Sequence, residues 1–207
     1  MSRSQSDGGR LCTLFTVSEN FVMVRKLLLA ALVAFTGSLA IAAELKSGPQ
    51  SGEKLPGPFH PLNINGESAG QKACLYCKHG ENPVAMVFAR SATCEGTQKL
   101  IAKLEEVTAA NSKAEMGCFV VFLSDDDKLG AELKTMAEKA KLKNVTIAID
   151  TPAGPNKYNV SKDADLTVVL YTDRKVVSNY SFEKGKISDK DIEAIAKDAA
   201  KMVPSKK

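Results

Sequence analysis

The chain has 207 residues, 44% of them hydrophobic and 25% charged, a balance that suits one packed domain and is too apolar for disorder. The formal charge of +4, from 28 basic against 24 acidic residues, is too small and too dispersed to point to a nucleic-acid partner. With no tryptophan and 6% aromatics the core must rest on Val, Ile, Leu, Ala and Phe, and five cysteines are too few for a disulfide scaffold but enough for redox chemistry.

Residues 1–22 are polar and aperiodic and read as an over-extended start or a leader. Residues 23–42 have the layout of an export signal: Arg25 and Lys26, an apolar run over 27–35, then small residues ending in Ala40-Ile41-Ala42. Thr36, Gly37 and Ser38 interrupt the run, so cleavage is favoured over a retained anchor, and no membrane contact is expected afterwards. The expected location is therefore secreted or periplasmic. Removal of the signal takes Cys12 with it and leaves Cys74, Cys77, Cys94 and Cys118, with three possible pairings.

Residues 43–58 are rich in Gly, Pro, Ser and Lys and form an extended lead-in; residues 59–207 make the domain. Residues 59–66 alternate apolar and polar and end in Asn65-Gly66, which predicts an N-terminal β-hairpin extension. The continuous apolar run 84–89 predicts a strand covered on both faces. Leu100, Ile101, Leu104 and Val107 predict an amphipathic helix from Cys94 to Ala110. A second buried strand covers 118–123. Ser124 and Asp127 resemble a capping box opening the helix of Leu129, Leu133, Met136 and Ala137. Residues 145–149 form a third strand, residues 166–171 and 176–182 a hairpin around Thr172-Asp173-Arg174-Lys175, and Ser188 with Asp191 caps a last helix. Strands that alternate with helices run parallel, so the pattern predicts a mixed sheet with helices on both faces, a three-layer α/β/α sandwich.

This order resembles the thioredoxin-like redoxins, the branch of peroxiredoxins and exported thiol–disulfide oxidoreductases. The likeness is carried by residues 52–59 with Leu62-Asn63-Ile64-Asn65-Gly66, by 84–90, by Lys157-Tyr158-Asn159-Val160 and by 166–177, and spans about residues 52–203. It implies a thioredoxin fold and a protein dithiol, protein disulfide or peroxide as substrate. The chain departs from the family in three places. Its Cys74-x-x-Cys77 pair precedes the first core strand instead of following it. Leu166 stands where the family keeps a cis-proline. Ser91-Ala92-Thr93-Cys94 has the peroxiredoxin spacing, but Val87 replaces the upstream proline and no arginine lies near Leu166.

Cys74 and Cys77 can close a small disulfide ring, and Lys72, Lys78 and His79 are expected to favour thiolate there. The same bridge could instead be a structural staple on a non-catalytic binding module. Cys74, Cys77 and His79 offer three zinc ligands but no second pair completes a site, so no metal and no cofactor are expected. Cys94 would sit at a helix start, where backbone N–H groups favour thiolate, and gives a third reading as a peroxidase. Cys118 opens an apolar strand and reads as core. The candidate catalytic residues are thus Cys74, Cys77 and Cys94. Nothing in the sequence specifies the oligomeric state.

Overall fold

The structure, a computed structural model, describes residues 45–203; the leader and the signal expected over 1–42 lie outside them. Strands β1 (Leu62–Asn63), β2 (Val84–Ala89), β3 (Gly117–Leu123), β4 (Val145–Asp150), β5 (Leu166–Thr172) and β6 (Lys175–Phe182) form one sheet in the order β1-β4-β3-β2-β5-β6. Helices α1 (Leu75–His79), α2 (Glu95–Ala110), α3 (Leu129–Lys139) and α4 (Asp189–Lys201) complete the fold. The three central strands β2, β3 and β4 are parallel, whereas β5 runs antiparallel to β2 and β6 to β5. All six residues of β2 and all seven of β3 are buried, as continuous apolar strands at the centre of a sheet must be.

Helices lie on both faces of the mixed sheet, as expected, but unequally. The chain steps from β2 to β3 to β4 in one direction, and right-handed crossovers in one direction put their helices on one face. On that face α2 (Leu100, Ile101, Leu104), α3 (Leu129, Leu133) and α4 (Ile192, Ile195, Ala199) pack over Val87, Val120 and Val168 in one cluster. The second face has only the five-residue α1 as helix. The rest of its cover is irregular: Leu55 and Phe59 from the lead-in, and Tyr158 and Val160 from the connection over 151–165. Tyr158 fixes this layer by donating to the Gly57 carbonyl at 2.6 Å and meeting the Phe59 ring edge-on at 5.0 Å.

Two local expectations have different outcomes. The N-terminal hairpin forms with a longer reversal than a two-residue turn: one edge of β1 bridges Lys72, with the Asn63 N–H donating to the Gln71 carbonyl at 2.9 Å and the Gly70 N–H to the Asn63 carbonyl at 2.8 Å, while its other edge pairs with β4. Asn65-Gly66 lies within this reversal, with Gly66 at φ +79. Ser124 does not cap a helix. Its Oγ accepts the Asp126 N–H at 3.1 Å, Asp126 Oδ1 accepts the Lys128 N–H at 2.9 Å, and α3 begins only at Leu129. Ser124 and Asp127 have the spacing of a cap, but a tighter local turn won. The Ser188–Asp191 capping box forms as expected, and so does the β5–β6 turn, with Asp173 at φ 50 and Arg174 at φ 60.

Glu105 ties α2 to the start of β4. Its carboxylate accepts the backbone N–H groups of Lys143, Asn144 and Val145 and the Asn144 side-chain amide. Burial pushes the Glu105 pKa up, but these donors outweigh it and the net shift is downward. A lowered folded pKa means stability that is present above the unfolded carboxyl pKa and fades as pH falls through the folded one. Glu105→Ala should therefore cost about 2 kcal/mol at pH 7. In urea unfolding, the gap between variant and wild type should narrow as the pH is lowered below about 4.

Candidate functional site

Cys74 and Cys77 meet around α1. Cys74 is the N-cap of this single turn, in an extended conformation, and its Sγ accepts the Cys77 backbone N–H at 3.1 Å. The two Cα atoms are 5.2 Å apart and the sulfurs are joined in a disulfide. Leu75 and Tyr76, between the cysteines, are buried in the second-face core, and the Arg174 guanidinium lies over the Tyr76 ring at 5.2 Å. The turn is thus held by its middle, which leaves Cys74 half-buried and Cys77 exposed.

His79 closes the turn from below. Its ring stacks on Phe119 with centroids 5.9 Å apart and planes 3° off parallel, and it occupies the space that a side chain at Gly117 would fill. Its Nε2 is buried and has no hydrogen-bond partner among the described residues. Burial, with a smaller contribution from the Lys78 charge, holds its pKa down at about 4. The imidazole is therefore neutral at physiological pH. Lys78 is paired with Glu67 at 3.2 Å. These findings correct the expected activation: His79 brings no positive charge to the cysteines, and the Lys78 charge is offset. The Cys77 N–H is the group that the geometry offers to a Cys74 thiolate.

Beside the bridge runs a groove of about 410 Å³, lined by Asn63, Asn65, Ser68, Cys74, Cys77 and Thr146, with Glu67 and Lys78 also in its wall. Asn63 and Glu67 were not among the candidate site residues drawn from the sequence. The available signal was Asn63 itself, a polar residue in the same alternation phase as Phe59.

Cys94 lies elsewhere. It is the N-cap of α2, half-buried, beyond the carboxyl end of β2, whereas His79 packs α1 against the amino end of β3. A six-residue strand separates the two ends by about 20 Å, so the structure does not bring Cys94 to Cys74 and Cys77. Arg90, four residues before Cys94, spends its guanidinium on the carbonyls of Ala164, Pro152 and Ser161. Nearby, burial raises the pKa of Asp165, against the pull of Lys184, Ser91 and Arg90. Cys118 is a core residue of β3, fully buried, and burial pushes its thiol up to about 12. Both Cys94 and Cys118 are free thiols.

The arrangement of strands and helices matches known structures. A candidate thiol:disulfide interchange protein DsbE from Chlorobium tepidum aligns with a TM-score of 0.56 at 16% identity, over 78% of this chain and 100% of that one. A candidate protein disulfide isomerase from Bacteroides thetaiotaomicron gives 0.58 at 14% identity, over 77% and 94%. The peroxidoxin BcpB from Mycobacterium tuberculosis gives 0.53 at 15%, over 77% and 97%. The fold is thioredoxin-like. No protein-family model matches the sequence, and no curated protein does. In this thioredoxin-like chain there is no cis peptide bond among the described residues, and Leu166 occupies the first position of β5. No described helix is long and apolar enough to cross a membrane.

Two predictions follow from these environments. The unfolded chain binds a proton at His79 near pH 6.5 and the folded chain only near 4, so stability falls as the pH drops through that window. Between pH 7.5 and 4.5 wild type should lose about 2–3 kcal/mol more than His79→Phe in urea unfolding. In native alkylation with iodoacetamide, Cys94 should label while Cys118 stays unlabelled until the protein is denatured.

Proposed function

We propose that the protein is an exported thiol–disulfide oxidoreductase that works through Cys74 and Cys77. The observation that carries this reading is the Cys74–Cys77 bridge itself, held so that one sulfur belongs to an exposed residue and the other accepts a backbone N–H. In the reducing direction, the Cys77 thiolate attacks one sulfur of a substrate disulfide. The Cys77–substrate bond forms, the substrate bond breaks, and the departing sulfur leaves as a thiolate that takes a proton from solvent. Cys74, as thiolate, then attacks Cys77 Sγ, re-forms the bridge and releases the second substrate thiol. Two electrons pass from the pair to the substrate, and an external dithiol restores the pair. The same steps reversed oxidise a substrate dithiol.

Export rests on the signal-like segment over 23–42. It suits the chemistry, since a disulfide cycle that ends oxidised needs a compartment where disulfides persist. The thioredoxin-like fold adds support, because the similar solved structures include a candidate interchange protein and a peroxidoxin.

A second reading concerns Cys94. It lies at the carboxyl ends of the parallel strands, where open α/β sheets bind ligands, and it N-caps a sixteen-residue helix. There a thiolate would attack a peroxide oxygen, forming sulfenic acid and releasing water or an alcohol. The two readings separate by mutation. Cys74→Ser with Cys77→Ser should abolish reduction of a test disulfide, and Cys94→Ser should leave it intact. Peroxide consumption lost with Cys94→Ser alone would move the activity to the other end of the sheet. The Cys74–Cys77 couple should titrate between about −120 and −270 mV, the span of known oxidoreductases. A couple that stays closed below about −300 mV would make the bridge a staple on a binding module.

A further inference from the structure

Asn63 inverts the pattern of its own strand. Residues 59–63 alternate buried and exposed, and the register sends Asn63 inward at 1% exposure while Leu62 faces outward at 36%. Polar-in and apolar-out is the reverse of what a half-covered strand favours. Pairing with Ala148 puts Asn63 on the face that α1 covers, so the inversion sets an amide beside the Cys74–Cys77 turn. Its Oδ1 is buried and has no hydrogen-bond partner among the described residues. Such a group costs stability until something donates to it.

Asn65, two residues on, is a useful contrast. Its Nδ2 donates to the Val145 carbonyl at 3.0 Å and its Oδ1 accepts the Ile147 N–H at 2.6 Å, so both ends pin β4. Of two amides lining one groove, the fold consumes Asn65 and leaves the Asn63 acceptor idle. Rules broken locally without structural compensation concentrate at functional sites.

We propose that this groove binds the backbone of a cysteinyl peptide, with one peptide N–H donating to Asn63 Oδ1 and the cysteine sulfur presented to Cys77. The proposal rests on the exchange reading and specifies its substrate. An idle acceptor selects a donor, and a backbone N–H beside the sulfur is the donor that every cysteinyl substrate carries. At about 410 Å³ the groove has room for a few residues of chain and not for a folded surface. Glu67 and Lys78, paired in its wall at 3.2 Å, offer one charge of each sign. A free small peptide would bring its own terminal ammonium and carboxylate to them, whereas an internal stretch of polypeptide would not.

The test compares three disulfides on the reduced protein: 2,2′-dithiodipyridine, which has no hydrogen-bond donor, glutathione disulfide, and an unstructured peptide with one internal disulfide. Asn63→Leu should lower the kcat/KM preference for the peptide disulfides over dithiodipyridine by about tenfold, the effect of one lost hydrogen bond. Ser68→Phe narrows the groove from its loop side and should lower the same ratio, which covers the case where Asn63→Leu does not fold. A preference that falls with added salt for glutathione disulfide alone identifies the free small peptide as the occupant, and a preference largest for the longer peptide and insensitive to salt identifies polypeptide. Ratios unchanged in both variants overturn the groove while the exchange reading stands. If wild type reduces none of the three faster than the Cys74→Ser, Cys77→Ser variant, the exchange reading falls, and the groove proposal with it.

Discussion

The fold depends on a constraint of handedness. Because β2, β3 and β4 are laid down in one direction and their crossovers are right-handed, α2 and α3 must share a face, and α4 joins them there. The sheet is apolar on both sides, so Met86, Phe88, Phe119 and Val121 on the other face still need cover. No crossover helix can supply it. The cover is assembled instead from the lead-in, α1 and the connection over 151–165, pieces too short or too irregular to hold themselves without side-chain ties. Ser47 shows how this is done: buried in the lead-in, its Oγ contacts Thr167 Oγ1 at 2.6 Å and accepts the Ser161 N–H at 2.9 Å, while its carbonyl accepts from Asn179. One serine joins three segments across the second face.

That arrangement decides where chemistry can sit. At the carboxyl ends of the parallel strands, Arg90 holds the long connection by three of its carbonyls, so the guanidinium there is a structural clamp. At the amino ends, α1 must be seated on the sheet to bury Leu75 and Tyr76, and that seating carries the two cysteines to the surface. The missing side chain at Gly117 is part of the same device. It lets the His79 ring lie against the sheet and stack on Phe119, and the close fit keeps the ring dry and uncharged. Packing and activation by charge were alternatives for His79, and packing took it.

The regular elements were legible because each depends on its own sequence. The apolar runs over 84–89 and 118–123, the 3.6-residue spacing through Leu100, Ile101 and Leu104, and the Ser188–Asp191 box are local patterns with local consequences. The reading faltered where a residue's fate is set by distant partners. Ser124 and Asp127 have the right spacing for a cap, but the turn through Asp126 and Lys128 is closed first. The Asn65-Gly66 pair signals a two-residue hairpin turn, but the Asn65 side chain is spent on Val145 and Ile147 of β4, and the chain returns along β1 only from Gly70. The two cysteines of the bridge were visible from their spacing. Asn63, Glu67 and the fit of His79 over Gly117 were not, since these depend on which strand lies beside which.

The size of the Cys74–Cys77 ring also bears on what the bridge is for. A disulfide stabilises a fold mainly by restricting the unfolded chain, and the effect grows with the loop it closes. A sequence separation of 3 is close to the smallest loop available, worth at most about 2 kcal/mol on the chain-entropy model. The turn it closes is already anchored by Leu75 and Tyr76 in the core, by Arg174 over Tyr76 and by the His79 ring on Phe119. A staple adds little to a segment pinned at its middle and its end. The features a staple does not need are an exposed second cysteine, a backbone N–H aimed at the first sulfur, and a polar groove alongside. They are the features that an exchanging pair does need, which is the physical reason to prefer redox use of this bridge over a structural one.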